Sequence, residues 1–542
     1  MGKQKEITID NFNGGNAFDL RENSPNKFGL AKHFKVFEYR NKLIPNYQRL
    51  MDGAIDPASL GIAKVIYVPY VSGLFQVGRL FGFGLAGANN YPKIYKLDID
   101  SGLPGTWTDC TNGTSDNTDD ARNLDVFFHY KGYIYFWTVN DLCRFKATDD
   151  EAWATSNPEA DDSYYDPAEA VYAVAQPVHH PSDDNAYFFH LNHTHRLDDA
   201  AWTPKVLTTI PATERITAAC AYGDYLAIAT VDNLRPYADL VGKKAIVYLW
   251  DRDASLETVS QKIDFGSGEI VHLTVLKDKL IAVMNSSGSE TLGIDNGKII
   301  IKQYLNYVKI VNELKIDNNI ATWTGGATEV GAGSDYYLPK TNFKKDEKLY
   351  FPMRADLNGE SRNGIWALDA SGRLGLEIVD AELNDTTAKN YRGVYCTGNV
   401  WWTMYAASAT LSGSNTTQNI YRTDDNKIYS TTTPSTYESL IFDVGDRSKT
   451  KKFVGATVAT EALPANGRIV LEYRYDDGLD DATWIELFDN TTDDSTRQSA
   501  IKNSDETDLP HFKEIQFRIK SYGGAVITAL KFKAEAVEDD IY

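Results

Sequence analysis

The sequence has little cysteine, and the few cysteines lie far apart. The four residues, Cys110, Cys143, Cys220 and Cys396, are scattered over 542 positions and form no short-spaced pair. Thiolate metal sites and small disulfide scaffolds place their cysteines at short, regular spacings. The sequence therefore predicts neither kind of site, and it favours folding in a reducing cytoplasm.

Methionine is also scarce, with 5 residues, and no long stretch has the periodicity of an amphipathic helix. Aromatic residues, in contrast, make up 12% of the chain and include 32 tyrosines. Aromatic and β-branched side chains pack well on the pleated surface of a sheet. The composition therefore predicts an all-β fold and argues against a helical bundle.

Basic residues are in deficit: the chain has 55 lysines and arginines and 75 acidic residues, which gives a net charge of −20. A protein that grips nucleic acid needs a basic face that neutralises phosphates. The composition argues against such a function. It fits two other interpretations, a protein kept soluble by its charge and a surface past which DNA slides without sticking.

Long uninterrupted apolar runs are absent. The strongest candidate, Val65–Ala88, has Arg79 as its one charged residue but is broken by Pro69 and by several glycines. Such a segment is typical of two buried strands around a turn rather than a membrane span. The first residues, Met1–Ile7, also lack the apolar region of a signal peptide.

A strand-turn-strand unit recurs along most of the chain. Each copy has an apolar strand, a tight turn containing glycine or an acidic residue, and an aromatic-rich strand. The turns fall at Gly78, Gly132, Asp184, Gly223, Asp278, Glu347 and Gly398. Repeats of roughly 40 to 50 residues are typical of the blades of a β-propeller. We therefore predict a propeller of six or seven blades over residues 61–435.

Many copies are followed by another strand that ends on an aromatic and a charged residue. The clearest examples are Ile94–Asp98, Val247–Arg252, Ile365–Asp369 and Ile420–Thr423. In a propeller, this strand lies further from the central axis and leads to the next blade.

The two ends of the chain differ from the repeats. Residues 1–60 are punctuated by Gly14-Gly15 and Ser24-Pro25, which predicts an extended N-terminal arm that lends a strand to the last blade. Residues 436–542 contain alternating polar and apolar segments, such as Arg468–Tyr475 and Phe512–Lys520. Alternation of this kind predicts half-buried strands, and we interpret the region as a C-terminal β-sandwich.

Candidate chemical sites are weak. His190, His193 and His195 form the one histidine cluster together with His179-His180, and imidazoles on one face of a strand can bind a metal ion. The pattern leaves open whether this cluster binds metal, because no third convergent ligand can be placed. Paired acidic residues such as Asp183-Asp184 and Asp198-Asp199 fit solvated turns. We predict no catalytic residue, no cofactor and no metal ligand, and hence no enzyme.

Short motifs at both ends carry a resemblance to a known class of proteins. Phe12-Asn13-Gly14-Gly15, Asn23-Ser24-Pro25 and Leu43-Ile44-Pro45 resemble the opening of β-propeller virion proteins of tailed bacteriophages. Tyr473-Arg474-Tyr475, Trp484 and Ile515–Ile519 are similar to modules appended to phage tail and neck proteins. The resemblance covers parts of the two ends, and it covers the middle only through its periodicity.

This resemblance implies a structural component of the virion, placed in the tail, neck or nozzle and assembled in the host cytoplasm. Such proteins form homo-oligomeric rings with other virion proteins around a channel through which DNA passes during ejection. Two alternatives stay open. One is a receptor- or glycan-binding tail module, and the other is a glycan hydrolase similar to sialidases.

Overall fold

The computed structural model describes most of the chain in segments. These are residues 4–17, 19–21, 24, 26–51, 60–72, 75–86, 91–98, 107–109, 127–137, 142–146, 174–199, 201–232, 242–255, 258–286, 298–316, 341–357, 360–380, 390–406, 418–424, 426–445, 447–479, 483–501 and 510–537.

Strands dominate the described residues. The N-terminal arm contributes β1 (Gln4–Ile9), β2 (Leu30–Lys32) and β3 (Arg49–Met51). Blade 1 contains β4 (Leu60–Ser72), β5 (Phe75–Ala86), β6 (Tyr91–Asp98) and β7 (Thr108–Asp109), and blade 2 contains β8 (Phe127–Tyr130), β9 (Tyr133–Trp137) and β10 (Leu142–Lys146). Blade 3 contains β11 (Val174–His180), β12 (Asn185–His190), β13 (His193–Asp198) and β14 (Ala201–Leu207), and blade 4 contains β15 (Arg215–Tyr222), β16 (Tyr225–Val231), β17 (Lys244–Trp250) and β18 (Gln261–Ser267).

The remaining strands complete the repeats and the C-terminal unit. Blade 5 contains β19 (Glu269–Leu276), β20 (Lys279–Ser286), β21 (Lys298–Tyr304) and β22 (Val308–Ile316). Blade 6 contains β23 (Phe343–Lys345), β24 (Lys348–Leu357), β25 (Glu360–Asp369) and β26 (Leu374–Ile378), and blade 7 contains β27 (Asn390–Thr397), β28 (Val400–Ala406) and β29 (Gln418–Thr423). The C-terminal unit contains β30 (Ser435–Glu438), β31 (Lys451–Thr460), β32 (Arg468–Tyr475), a 3-10 helix (Asp476–Leu479), β33 (Ile485–Asn490), β34 (Arg497–Ile501), β35 (His511–Phe512), β36 (Ile515–Tyr522) and β37 (Ile527–Ala536).

The seven blades found among the described residues form a closed ring of antiparallel sheets. The first strands of successive blades pack against one another from β4 through β8, β11 and β15 to β19, and the ring continues through β24 to β27. It closes because β27 and β28 of blade 7 pack against β4 of blade 1. The predicted all-β fold with a β-propeller is therefore confirmed. Blades 5 and 6 belong to one extended sheet, because β22 pairs with β24.

A buried ion pair joins two neighbouring blades on the inner side of this ring. Arg215 of β15 binds Glu269 of β19 through two parallel contacts, from Nη1 to Oε1 at 2.9 Å and from Nη2 to Oε2 at 2.7 Å. Both side chains are fully buried. Two parallel N–H donors match the two oxygens of a carboxylate, so this pair also fixes the register between the blades.

Six of the seven predicted turns are confirmed. Gly132, Asp184, Gly223, Asp278, Glu347 and Gly398 lie in turns between the first two strands of their blades. All six have left-handed φ angles between 56° and 83°. Turns of this hand suit the twist of two-strand hairpins, which explains the glycines at three of these positions.

The turn predicted at Gly78 is wrong. Gly78 lies inside β5, where it pairs with Pro69 of β4, and the two strands are joined further towards the N-terminus, beyond the Ser72–Phe75 pair. A Cβ atom at Gly78 would lie 2.0 Å from atoms of the Tyr67 ring. The glycine is therefore required by a cross-strand aromatic side chain and not by a turn. The predicted hairpin within Val65–Ala88 is nevertheless present as β4 and β5.

The N-terminal arm pairs with three parts of the fold. Its β1 pairs with β37 of the C-terminal unit, and its β3 pairs with β29 as the outermost strand of blade 7. The prediction that the arm lends a strand to the last blade is thus confirmed. Between these, β2 runs parallel to β26 of blade 6 on one side and antiparallel to β30 on the other.

The three-residue strand β2 makes one continuous sheet out of blade 6 and the C-terminal unit. The order of strands is β24, β25, β26, β2, β30, β36, β32 and β33. An apolar core follows the same path. It includes Phe28 and Ala31 of the arm, Ile365 of blade 6, and Phe453 and Phe517 of the C-terminal unit, all fully buried.

The motifs at the start of the chain have identifiable roles in the arm. The backbone N–H of Gly14 donates to the carbonyl of Asn26 at 2.8 Å, and a Cβ on Gly14 would lie 2.2 Å from that oxygen. Leu43 and Ile527 exchange backbone hydrogen bonds at 2.9 and 3.1 Å. The glycine therefore permits a close approach of two backbone segments, and the step at Leu43 attaches the arm to β37.

The C-terminal unit has two antiparallel sheets. One has the order β1, β37, β31 and β34, and the other contains β30, β36, β32 and β33. Phe517 of β36 faces Phe532 of β37 with ring centroids 4.7 Å apart, and it faces Phe453 of β31 at 5.9 Å. The sheets thus share one aromatic core. The sandwich assignment and the domain boundaries at 60 and 435 stay predictions.

Across the part of the chain that is described, no helix is both long and apolar enough to cross a bilayer.

A proline in β2 should uncouple the two parts of the fold. Proline lacks a backbone N–H and is not accommodated in a central strand, so Ala31→Pro should break the sheet between β26 and β30. We expect differential scanning calorimetry to show one transition for the native protein and two for Ala31→Pro. As a control, Lys262→Pro in the outer strand β18 should lower the transition temperature without splitting it. A single transition for Ala31→Pro would contradict this account.

Candidate functional site

A cavity of about 520 Å³ lies where the arm meets blades 6 and 7. We call it the junction cavity. Its lining comes from the arm, from β23, β24 and the turn between them, from β26, and from blade 7 and the segment after β29. The lining residues are Lys35, Phe37, Glu38, Asn46, Tyr47, Arg49, Lys345, Asp346, Lys348, Tyr350, Glu377, Ile378, Asn399, Trp401, Thr423 and Lys427. This volume lies in the range of small-molecule sites.

Arg49 attaches the arm to both blades at one side of the cavity. Its Nε donates to Oδ1 of Asp380 at 2.7 Å, and both side chains are almost fully buried. Its other N–H groups donate to Thr403 Oγ1 at 2.7 Å and to the Trp401 and Tyr421 carbonyls at 2.6 and 3.1 Å. The planar guanidinium thus serves these four acceptors at once, whereas a lysine ammonium has three N–H donors.

Glu377 of β26 is a buried carboxylate with an open hydrogen-bonding position. The residue is 6% exposed, and its carboxyl group forms a hydrogen bond with the Tyr350 side chain, whereas its Oε2 has no hydrogen-bond partner. Lys348 Nζ lies 4.0 Å from this oxygen and donates to the Val36 carbonyl at 3.1 Å. Burial raises the pKa of Glu377 to about 7, although the positive charge of Lys348 opposes that effect. The carboxyl group can therefore gain or lose a proton near neutral pH.

The aromatic side chains of the cavity wall are held by cations and by one another. Lys345 Nζ lies 5.4 Å from the ring centroid of Trp401, and Lys35 Nζ lies 4.8 Å from that of Tyr47. The rings of Tyr350 and Trp401 are 4.4 Å apart. Such cation–π and ring contacts fix the orientation of the rings.

The lining is more basic than the chain as a whole. Its five cations are Lys35, Arg49, Lys345, Lys348 and Lys427. Its three carboxylates are Glu38, Asp346 and Glu377. Because Arg49 is paired with the buried Asp380, the excess in the lining is one positive charge, of four lysines over three carboxylates. In a protein with a net charge of −20, this excess makes the cavity a local site of attraction for anions.

None of the lining residues was predicted as a site from the sequence. The turns at Glu347 and Gly398 were predicted, and they carry Asp346 and Asn399 into the lining. The remaining lining residues come from distant parts of the chain, so no local pattern in the sequence marks them.

The histidines singled out in the sequence all lie in blade 3, where His180, His190 and His195 are buried, His193 is partly buried and His179 is exposed. His190 and His193 face each other across β12 and β13, and the His195 ring stacks on Trp202 with centroids 5.3 Å apart. Burial lowers the pKa of His190 to about 4 and that of His195 to about 3. Wherever side chains are described, His, Cys, Asp and Glu do not gather in a group of three that could hold a metal ion.

Two of the paired acidic residues and two of the four cysteines lie among residues whose contacts the structure describes. Asp184 and Asp199 both accept from Lys131, which links blade 3 to blade 2. Cys220 and Cys396 are free thiols, and burial raises the pKa of Cys220 to about 12. Cys110 lies outside the described residues, and the side chain of Cys143 is not described.

Comparisons with known proteins give distant structural similarities only. No family model and no curated protein matches the sequence. The chain is similar to the Dos1 propeller, with a TM-score of 0.39, 10% identity, and coverage of 70% of this chain and 95% of that one. It is also similar to a chain of the mitotic checkpoint complex, with a TM-score of 0.35, 11% identity, and coverage of 70% and 93%.

A third similarity is to a Trypanosoma rangeli sialidase in complex with sialic acid, with a TM-score of 0.29, 9% identity, and coverage of 91% of this chain and 96% of that one. Scores at this level establish nothing about the activity, ligand or partners of this chain. The propeller assignment follows from the sheet order and ring closure described above.

Removing Arg49 should destabilise the protein strongly. The variant Arg49→Ala leaves Asp380 buried without its cation, which costs about 3 to 5 kcal/mol of unfolding free energy. The matched control is Arg468→Ala, because Arg468 pairs with Asp489 on the surface at 2.6 Å and is 40% exposed. Loss of that pair should cost at most about 1 kcal/mol. Urea unfolding measures the unfolding free energy of both variants. Equal decreases in the two variants would contradict the role assigned to Arg49.

The buried histidines should make the protein sensitive to acid. The folded-state pKa values of His33, His190 and His195 are about 3, 4 and 3, chiefly because of burial. The unfolded chain therefore binds more protons below pH 6.5, and stability falls as the pH decreases, by up to about 1.4 kcal/mol per pH unit and histidine.

Unfolding free energies measured at pH 7, 6 and 5 test this expectation. His195→Gln should reduce the loss between pH 7 and 5. The control, His511→Gln, changes an exposed residue and should leave the loss unchanged. If the unfolding free energy of His195→Gln decreases with pH as steeply as that of the native protein, His195 is not the source of the acid sensitivity.

Proposed function

We propose that this chain is an architectural component of a tailed-phage particle, which forms a homo-oligomeric ring around a DNA channel in the tail, neck or nozzle. The observation that best supports the proposal is the continuous sheet from blade 6 through β2 into the C-terminal unit. The resemblance of the chain ends to phage virion proteins supplies the viral context.

A continuous sheet suits a subunit of a ring. Domains connected by a flexible linker move relative to each other by default. Here blade 6 and the C-terminal unit share backbone pairing through β2 and an apolar core, so we expect them to move together as one body. A closed ring requires a fixed angle between successive interfaces, and a rigid subunit supplies that angle.

The charge of the chain fits passage of DNA. A net charge of −20 repels the phosphate backbone, so DNA near such a surface is not retained. A channel through which a genome moves needs this lack of affinity. Lysines and arginines in excess would instead hold the DNA in place.

Imaging of the purified full chain tests the proposal. Negative-stain electron microscopy and mass photometry should show closed rings whose mass is a multiple of 60.5 kDa. Ala31→Pro should form fewer rings because its two parts no longer keep a fixed angle, whereas the control Lys262→Pro should form rings as the native protein does. A protein that stays monomeric at its highest soluble concentration would contradict the proposal.

A further inference from the structure

We propose that the junction cavity binds an acidic saccharide of one or two rings, with lysines holding its carboxylate and Glu377 accepting a hydrogen bond from its hydroxyls. This inference goes beyond the architectural function and does not depend on it. It rests on four features of the cavity, which are its volume, the open position on Glu377, the excess of cations and the aromatic walls.

The volume argues against a simple inorganic ion. A cavity of about 520 Å³ would remain mostly empty around a phosphate or a sulfate. Sites of this size in proteins usually enclose organic molecules, and they combine apolar walls with a few convergent polar groups. One or two sugar rings match that description.

Glu377 supplies the strongest indication that a ligand belongs here. A buried carboxylate oxygen without a hydrogen-bond partner costs free energy, and native proteins rarely leave one. Glu377 Oε2 is such an oxygen, and its residue lines the cavity at 6% exposure. A ligand hydroxyl would donate the missing hydrogen bond.

The cations of the lining select for negative charge. Lys35, Lys345, Lys348 and Lys427 surround the cavity together with Arg49, and they outnumber the carboxylates. A cationic ligand would be repelled. Arg49 has Asp380 as its counter-ion and Lys348 lies 4.0 Å from Glu377, so an anionic ligand would chiefly compensate Lys35, Lys345 and Lys427. Lys427 is exposed, so its ammonium group is available to a ligand that enters from solvent. A carboxylate on the saccharide satisfies this requirement.

The walls suit the apolar faces of a sugar ring. Phe37, Tyr47 and Trp401 present aromatic surface, and each ring is fixed by a cation or by another ring. Sugar C–H groups pack against such surfaces, while a tyrosine hydroxyl can still form hydrogen bonds. Asn46, Asn399 and Thr423 add amide and hydroxyl groups for further sugar hydroxyls.

The same geometry predicts pH-dependent binding. The groups that act on Glu377 are Lys348, Lys35, Glu38 and Tyr350, and its pKa of about 7 reflects chiefly burial. An anion beside Glu377 raises its pKa further, so binding takes up a proton. Affinity should therefore increase as the pH falls from 8 to 6. His33, with a pKa of about 3, stays neutral throughout this range.

Calorimetric titration of the full chain, supported by saturation-transfer NMR, tests the proposal. The probes are methyl glucuronide, the neutral methyl glucoside, uridine monophosphate and inorganic phosphate. We expect the glucuronide to bind at least about tenfold more tightly than the glucoside, a difference of about 1.4 kcal/mol. Phosphate and the nucleotide should bind more weakly than the glucuronide.

Variants locate the binding at the junction cavity. Lys427→Ala and Lys35→Met should each weaken glucuronide binding at least about threefold, as expected for loss of one partly screened cation. The control Lys244→Ala removes an exposed lysine of blade 4 and should bind as the native protein does. Glu377→Gln should remove the pH dependence, whereas Glu486→Gln, in the C-terminal unit, should keep it. Thermal melting confirms that each variant is folded.

Several results would overturn the proposal. Equal affinity for glucuronide and glucoside would show that the cations do not select the ligand, and tighter binding of phosphate or nucleotide would assign the cavity to phosphorylated ligands. Undiminished binding by Lys427→Ala and Lys35→Met would place the site elsewhere, and no binding of any probe would leave the cavity without this function. Ring formation is measured separately, so either proposal can fail alone.

Discussion

The whole architecture depends on the pairing of one short strand on both of its edges. Leu30–Lys32 pairs with β26 of blade 6 and with β30 of the C-terminal unit. Without this strand, each of those neighbours would expose an unpaired row of backbone donors and acceptors. Such edges are costly when buried and prone to wrong pairing when exposed. Three residues thus connect two larger sheets.

The arm also explains why the cavity lies where it does. The segment from Lys35 to Arg49 crosses from the C-terminal unit to blade 7, and it passes over the ends of blades 6 and 7. Arg49 fixes that crossing by its buried pair with Asp380. The same segment that closes the last blade therefore forms a wall of the junction cavity, so fold and site share one structural cause.

Local sequence patterns predicted most strands and turns of the propeller. The turns at Gly132 and Gly223 combine a left-handed glycine with flanking apolar strands, and both were identified from the sequence. Gly78 shows the limit, because a glycine required by the Tyr67 ring is indistinguishable in sequence from a turn glycine. The position of β2 and the lining of the cavity depend on contacts between distant segments, which carry no local periodicity.

The most direct test of the central claim is native-state hydrogen exchange of the amides in Leu30–Lys32. If this strand holds blade 6 and the C-terminal unit together, its amides should exchange with the same high free energy as those of β26 and β30, through global unfolding only. Fast exchange of the strand by local opening, while both neighbours stay protected, would contradict the account.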